Sequence, residues 1–294
     1  MHGRHLSSVL VRVGSTQLLI DCGEATQFQL SASRYKPGKL STILISHLHG
    51  DHWYGLPGLL ASLSLAGRTR RLQIVGPDEL EGVLRRIPGL KEDELAYPID
   101  FISTNSSDSL NLKKGIRISW AALDHGVPCV GYRIEEPGGE GNLDVDKARS
   151  FGVVDFQDYQ RLKDGQSVEN KLGQEISPSE VISPGKPGRV FAYVSDTRPC
   201  ENGIMLGRNA QLLMHEATFM EDMRSRAEAT GHSTALDAAR VAKQARAARL
   251  LLTHFSARYE DAEIVALEAQ TVFPNTSAAV ELAPEAVEEL AERI

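Results

Sequence analysis

At 294 residues and 41% hydrophobic, the chain carries enough apolar material for a full core, as one large domain or two small ones, which excludes a chain disordered throughout. Acidic residues outnumber basic ones by 39 to 32, for a net charge of −7, so a uniformly basic surface is excluded and any polyanion has to be met by local basic patches. Cys22, Cys129 and Cys200 make no CxxC pair and are odd in number, which fits buried thiols in a reducing cytoplasm and not a disulfide scaffold.

The opening "MHGRHLSSVLVRVGS" has no apolar core of the secretory type. The uncharged run from Trp53 to Gly67 is broken by Gly and Pro and is too short to cross a bilayer, so no membrane association is expected. "SSVLVRV", "TQLLIDC" and "STILISH" read as short strands, and "RLQIVGP" follows after a helical stretch. "IRISWAALDH", "RVFAYVSDT", "AQLLMHEAT" and "RLLLTHF" are four more apolar strands, each closing on a His or Asp. Polar side chains thus gather at the carboxyl ends of buried strands, where open sheets place their sites. Residues 134–189 are rich in charge, Gly and Pro and read as an inserted arm with short helices of its own. "LAPEAVEELAERI" reads as a short acidic terminal helix.

The chemistry starts at "ILISHLHGDHWYGLPGLL", where the spacing is His-x-His-x-Asp-His. After the strand the chain turns, and side chains on a turn can converge on one point. His47 and His49 can share one metal, whereas the neighbours Asp51 and His52 diverge and suit a second metal, or a metal and a water. Gly50 relieves crowding and permits unusual backbone angles. Imidazole and carboxylate are the nitrogen and oxygen ligands that zinc accepts, and manganese or iron would tolerate them too. Four residues are too few for two metals, and the strand ends supply His125, Asp196 and His254.

"SHLHGDHWYGLPGLL", "LDHGVPCVGYRIEE", "SDTRPC", "LLMHEATF", "GHSTALDAARVAKQA" and "LLTHFSARY" together resemble, in order along the chain, the short form of the ribonuclease Z family, tRNA 3′-processing endonucleases of the metallo-β-lactamase superfamily. The His-x-His-x-Asp-His motif is shared by the whole superfamily; "SDTRPC", "HEAT" and "GHST" narrow it. The resemblance implies an α/β protein, a single αββα four-layer sandwich over 1–294, carrying two zinc ions per subunit. The insert at 134–189 would be a flexible arm that grips the tRNA body and reaches substrate at the partner's site in a homodimer. His47, His49 and His125 would hold one zinc, Asp51, His52 and His254 the other, and Asp196 would bridge them.

Two metals roughly 3.5–4 Å apart activate a water and polarise a phosphoryl oxygen, which suits in-line attack on a phosphodiester. Asp51, with a spare oxygen, is placed to take the water's proton. His232, just ahead of a Ser/Thr-capped helix, is the expected donor to the leaving 3′-oxygen, and Glu216 would hold its tautomer. The N-terminus of that helix is expected to favour a phosphate. His215, adjacent to Glu216, is expected on the opposite face of the strand. Basic groups that could meet tRNA phosphates are Arg34, Lys36 and Lys39; Arg68, Arg70 and Arg71; and Arg240, Lys243, Arg246 and Arg249.

Two departures from the family stand out. "GRHLSS" takes the place of an Arg-Asn-x-Ser-Ser pattern, with His5 where the family has asparagine, and the strand and glycine-rich loop before it are missing. A start upstream of Met1, or a sheet with an open edge, is expected. In the arm, "GVVDFQDYQRLKDG" lacks the family's Gly-Pro pair, which bears on tRNA grip. Two other readings remain: a general phosphodiesterase or arylsulfatase-like hydrolase using the same site, and a tRNA-binding protein inactive through its missing strand.

Overall fold

The computed structural model describes residues 4–283 apart from 34, 92, 106, 107, 140 and 184. His2, Arg34 and the acidic helix expected at the end of the chain lie outside the described residues. In chain order the elements begin β1 Val9–Val13, β2 Thr16–Ile20, α1 Thr26–Ala32, β3 Leu40–Leu44, α2 Gly50–Trp53 and α3 Leu56–Leu65. Then come β4 Leu72–Gly76, α4 Asp78–Leu84, β5 Ile99–Ser103, β6 Ser109–Asn111, β7 Arg117–Ala122 and β8 Val130–Glu136. A separate compact unit over 136–189 holds α5 Val145–Ser150, α6 Phe156–Lys163, β9 Val168–Glu169, β10 Glu175–Ile176 and α7 Pro178–Val181. The chain continues with β11 Arg189–Val194, α8 Glu201–Gly207, β12 Leu212–Glu216, α9 Arg224–Thr230, α10 Ala235–Ala245, β13 Leu250–Thr253, α11 Glu263–Gln270 and β14 Thr276–Ala278.

Two sheets make up the larger unit. One has the order β1-β2-β3-β4-β5, antiparallel only at the β1–β2 hairpin, and the other the order β14-β13-β12-β11-β8-β7-β6. Strand alternation explains how they stack, because successive side chains point to opposite faces. Leu18, Ile20, Leu44 and Val75 of the first sheet meet Ile118, Tyr132, Tyr193, Met214 and Leu251 of the second in one shared core. The alternate residues Leu19, Ile43 and Ile74 face outwards onto Leu56, Leu59, Leu60 and Leu63 of α3. On the far side Leu213, Leu250 and Leu252 pack under α10 and α11. Helix, sheet, sheet and helix layers therefore follow from period-2 burial on both sheets, and each fully buried Leu or Ile contributes about 1.5–3 kcal/mol.

The α10 helix sits close to its sheet because its inward positions are alanines: Ala235, Ala238, Ala239, Ala242 and Ala245 are all buried. A capping box starts it, Thr234 Oγ1 accepting from Asp237 N while Thr234 N donates to Asp237 Oδ2. All eight strand runs expected from the sequence form. The structure adds β5, β6 and β14, whose mixed, partly exposed residues give little periodic signal, the two-residue β9 and β10, and β8, whose buried Tyr132 and Ile134 alternate with polar residues.

The 136–189 unit has a small core of its own, Ala148, Val153, Leu162, Val168, Ile176 and Val181. Asp144 and Asp155 cap α5 and α6 through their side chains. Phe156 and Leu172 are exposed, at 79% and 90%.

Candidate metal centre

The turn after β3 carries His47 and His49, the latter on extended backbone as the N-cap of α2, which then carries Asp51 and His52. Gly50 starts that helix, where a Cβ would lie 2.5 Å from the Tyr54 ring. Its φ is not left-handed, so crowding alone is the reason for glycine here. The left-handed positions are instead Asp21 (φ 57°) and His254 (φ 58°), where a non-glycine residue costs of order 1–3 kcal/mol and persists only when its surroundings hold it.

Nine sequence-derived residues come together at the carboxyl ends of the strands. His49 Nδ1 lies 3.2 Å from His125 Nε2. Asp196 Oδ2 is 3.8 Å from His47 Nε2, 3.4 Å from His52 Nε2 and 3.5 Å from His254 Nε2. His254 Nε2 is 3.3 Å from Asp51 Oδ2. His47, His49, His125 and Asp196 form one group able to hold a metal ion, and Asp51, His52 and His254 a second. Asp196, His232 and His254 form a third possible grouping. His232 stacks on His254 with ring centroids 5.5 Å apart.

The donor set fits metals, and the surrounding hydrogen bonds explain why. His47 Nε2 and Asp196 Oδ1 are buried with no hydrogen-bond partner among the described residues. Such groups are costly unless something else takes up their lone pairs. Four of the histidines have Nδ1 tied elsewhere. His52 Nδ1–H donates to Asp21 Oδ2 at 2.8 Å, and His125 Nδ1–H to the Gly231 carbonyl at 2.7 Å. His254 Nδ1–H donates to Thr218 Oγ1 at 2.9 Å, while Thr218 passes its own proton to Glu216 Oε2 at 2.7 Å. His47 Nδ1–H reaches Ser46 Oγ at 3.0 Å, Ser46 in turn donating to Asp21. Each Nε2 is left facing into the cluster, able to bind once its ring is neutral, the second-layer arrangement that fixes ring orientation. Burial, followed by the neighbouring His52, pushes the His47 pKa down to about 3, so that this ring is neutral at ordinary pH.

Glu216 is the hub of the other half. Its Oε1 accepts from Thr197 N, Ser233 N and His232 Nδ1, and its Oε2 from Thr218 N and Oγ1. His215 faces away from it, buried on the helix side of β12.

One expectation is corrected and another narrowed. The N-terminus of α10 has no row of open donors for a phosphate. Ser233 N is bonded to Glu216, Thr234 N to Asp237 and Ala235 N to the Phe219 carbonyl, and Asp237 puts negative charge in the first turn. Within "RTRR" only Arg68 is buried, while Arg70 and Arg71 remain exposed, so two of its three arginines stay open to solvent. Arg68 donates to the Arg70, Arg71 and Gly38 carbonyls beneath the Tyr97 ring, Arg70 to Gly38, and Arg71 pairs with Asp100.

Sequence reasoning missed Asp21, Ser46, Thr218 and Gly231. Asp21 was within reach, since it closes the strand "TQLLIDC" in the same way as the other strand-end residues. Gly231 acts through its carbonyl, which has no residue-type signature. A Cβ there, at φ +75°, would come within 3.0 Å of His125 Nδ1.

Facing sheets with outer helices, and a histidine–aspartate cluster at the strand ends, define a metallo-β-lactamase fold. A family model described as "Beta-lactamase superfamily domain" matches residues 173–255, and one described as "Anti-Pycsar protein Apyc1" matches residues 3–125. Ribonuclease Z of Salinibacter ruber is 40% identical over 95% of this chain and 88% of its own length. Ribonuclease BN of Proteus mirabilis is 39% identical over 94% and 92%. The crystal structure of the short form of human tRNase Z matches with a TM-score of 0.67 at 26% identity, covering 98% of this chain and 94% of that one. The chain belongs to the ribonuclease Z family, endoribonucleases of the metallo-β-lactamase fold.

Proposed function

We propose that the chain removes the 3′ trailer from precursor tRNA using two zinc ions per subunit. His47, His49 and His125 hold one, Asp51, His52 and His254 the other, and Asp196 is shared. The observation that supports this most strongly is the convergence of seven donors, four of the five histidines with Nδ1 held from outside and Nε2 facing the cluster, and Asp196 within reach of both groups. When bound, such ions polarise the scissile phosphate and render a water nucleophilic near neutral pH; manganese would tolerate the same donors.

The chain's own residues supply the proton transfers. Asp51, with its side chain 39% exposed, faces the solvent from which water arrives, and one of its oxygens accepts the proton of the attacking water. His232 gives its Nε2 proton to the leaving 3′-oxygen, while Glu216 Oε1 at 3.0 Å holds its Nδ1–H. Cleavage leaves a 3′-hydroxyl on the tRNA. The 136–189 unit is assigned to the tRNA body. Its acidic residues outnumber its basic ones, so shape and stacking on exposed side chains such as Phe156 would carry this contact more than phosphate attraction. The working form is a cytoplasmic homodimer. No helix among the described residues is long and apolar enough to cross a membrane.

Zinc-loaded protein is expected to cut a precursor tRNA at the trailer junction and to hydrolyse bis(p-nitrophenyl) phosphate, with His49→Ala losing both activities. Turnover of the small ester with none of the RNA would sink the tRNA reading, and no metal-dependent turnover of either would leave a binding protein.

Metal loading should also be linked to protons. Burial would lower the pKa of His52, but the Asp21 carboxylate and the bond to Asp196 outweigh it and raise that pKa well above the ordinary value. His254 is raised in the same sense by Asp196 and Asp51 against its burial. Each ring must lose its proton to bind, so affinity weakens as pH falls below these values and levels off above them. Calorimetric zinc titrations in buffers of different ionisation enthalpy should show proton release at neutral pH. A heat that does not depend on the buffer would contradict this.

A further inference from the structure

Residues Arg4–Ser7 precede β1 and form no helix or strand, yet they run between two loops of the metal centre. The Arg4 guanidinium donates through Nη2 to the Ser256 carbonyl at 3.4 Å and to the Tyr259 carbonyl, and its Cζ lies 5.7 Å from the Phe255 ring centre. All three partners belong to the loop that leaves His254. Three residues further on, the Ser7 carbonyl accepts from Gly23 N at 2.9 Å. A Cβ on Gly23 would lie 2.5 Å from both the Leu6 Cβ and the Asp51 carbonyl oxygen, so segment and ligand turn press on this glycine from two sides. Next to it, Cys22 N donates to the His52 carbonyl at 2.7 Å.

One short segment therefore contacts the loop after His254 directly and the backbone of Asp51 and His52 through Cys22 and Gly23. Those three residues are one of the two metal-holding groups. The loop needs such a hold, because His254 sits in the left-handed region, which a histidine keeps only when its neighbours fix it. Ser256 N on the Thr218 carbonyl and Met220 N on Tyr259 Oη also hold the loop. Arg4 adds a charged donor on two of its carbonyls, a stronger restraint than a neutral hydrogen bond.

We propose that Arg4 is a positioning residue for the Asp51–His52–His254 half of the centre, setting the affinity of the second metal without touching it. This rests on the two-metal reading given above. Chelator-stripped protein is dialysed against buffered zinc and the bound metal counted by mass spectrometry, for wild type, Arg4→Met, Arg4→Lys and Arg12→Met. Arg12 is an exposed β1 residue whose described contact is the Tyr35 ring, so Arg12→Met serves as the control.

Wild type and Arg12→Met are expected to bind two ions. Arg4→Met should keep the tighter ion and bind the second roughly tenfold more weakly, the scale of one lost charged hydrogen bond. Arg4→Lys, which keeps the charge but not the forked geometry, should fall between them. Combining Arg4→Met with His254→Ala should add no further loss to that of His254→Ala alone. Two ions bound by Arg4→Met with wild-type affinity would overturn the proposal. Equal weakening of both ions would also overturn it, since Arg4 would then act on the fold at large. A wild type that binds a single ion would instead overturn the two-metal reading itself.

Discussion

Asp21→Asn is expected to weaken zinc binding by roughly 10–100-fold, the usual consequence of losing an outer partner of a metal-held histidine. Asp21 is fully buried and accepts four hydrogen bonds, from Ser46 N and Oγ, His52 Nδ1 and Tyr193 Oη. A carboxylate can satisfy all four, whereas an amide must turn its NH2 group towards at least one donor. That buried donor then goes unpaired, at a cost of about 1–3 kcal/mol. Asparagine also tolerates the left-handed backbone of position 21, so the substitution tests acceptor capacity and charge without adding strain. Both a lower melting temperature and a weaker zinc affinity should be measured, the latter by competition with a chromogenic chelator. Unchanged affinity would mean that His52 does not depend on Asp21 for its orientation.

His232→Ala should lower the rate constant for precursor cleavage by roughly 10²–10⁴, the range for a lost general acid. Metal content should stay at the wild-type level, because His232 is read as a proton donor. Its geometry also permits a grouping with Asp196 and His254, so the metal count decides between the roles: a variant that loses an ion has lost a ligand. Substrate choice provides a second discriminator. The leaving 3′-oxygen of RNA needs a proton and p-nitrophenolate does not, so His232→Ala should spare the small ester while impairing the RNA. Equal loss on both substrates would contradict the donor role.

Glu216 and Thr218 make this half of the centre a connected system. Glu216 holds His232 directly and, through the Thr218 hydroxyl, the Nδ1 of His254. One buried carboxylate thus orients His232, the proposed proton donor, and a donor atom of the metal cluster. Its five accepted hydrogen bonds offset the cost of placing a charge where no water reaches.

Much of the larger unit could be read directly, and the reason is periodic. Strands buried on both faces, such as β2, β4, β12 and β13, appear as short apolar runs because each packs against a sheet on one side and helices on the other, while the partly exposed β1 and β7 were picked out by their apolar and β-branched residues. The unread strands β5 and β6 lie at or near sheet edges, where residues such as Asp100 and Asn111 interrupt the apolar pattern. The side chains of the centre were visible for a related reason. His47, His49, Asp51 and His52 sit on a single turn, and His125, Asp196, Glu216 and His254 each follow or close an apolar strand, so residue type and local position were enough.

The sequence by itself determined the strand runs and the side chains that gather at their ends, since both arise from local pattern, while the four-layer order was implied only by the resemblance to the ribonuclease Z family. Only the tertiary structure decided which nitrogen of each histidine faces the centre. Those choices depend on Asp21, Thr218 and the Gly231 carbonyl, brought beside His52, His254 and His125 by contacts between distant parts of the chain. It also decided that the α10 N-terminus and Arg68 are already committed to partners inside the fold. A backbone carbonyl or a satisfied N–H has no residue identity to read, so such pairings become visible only once the strands are in register.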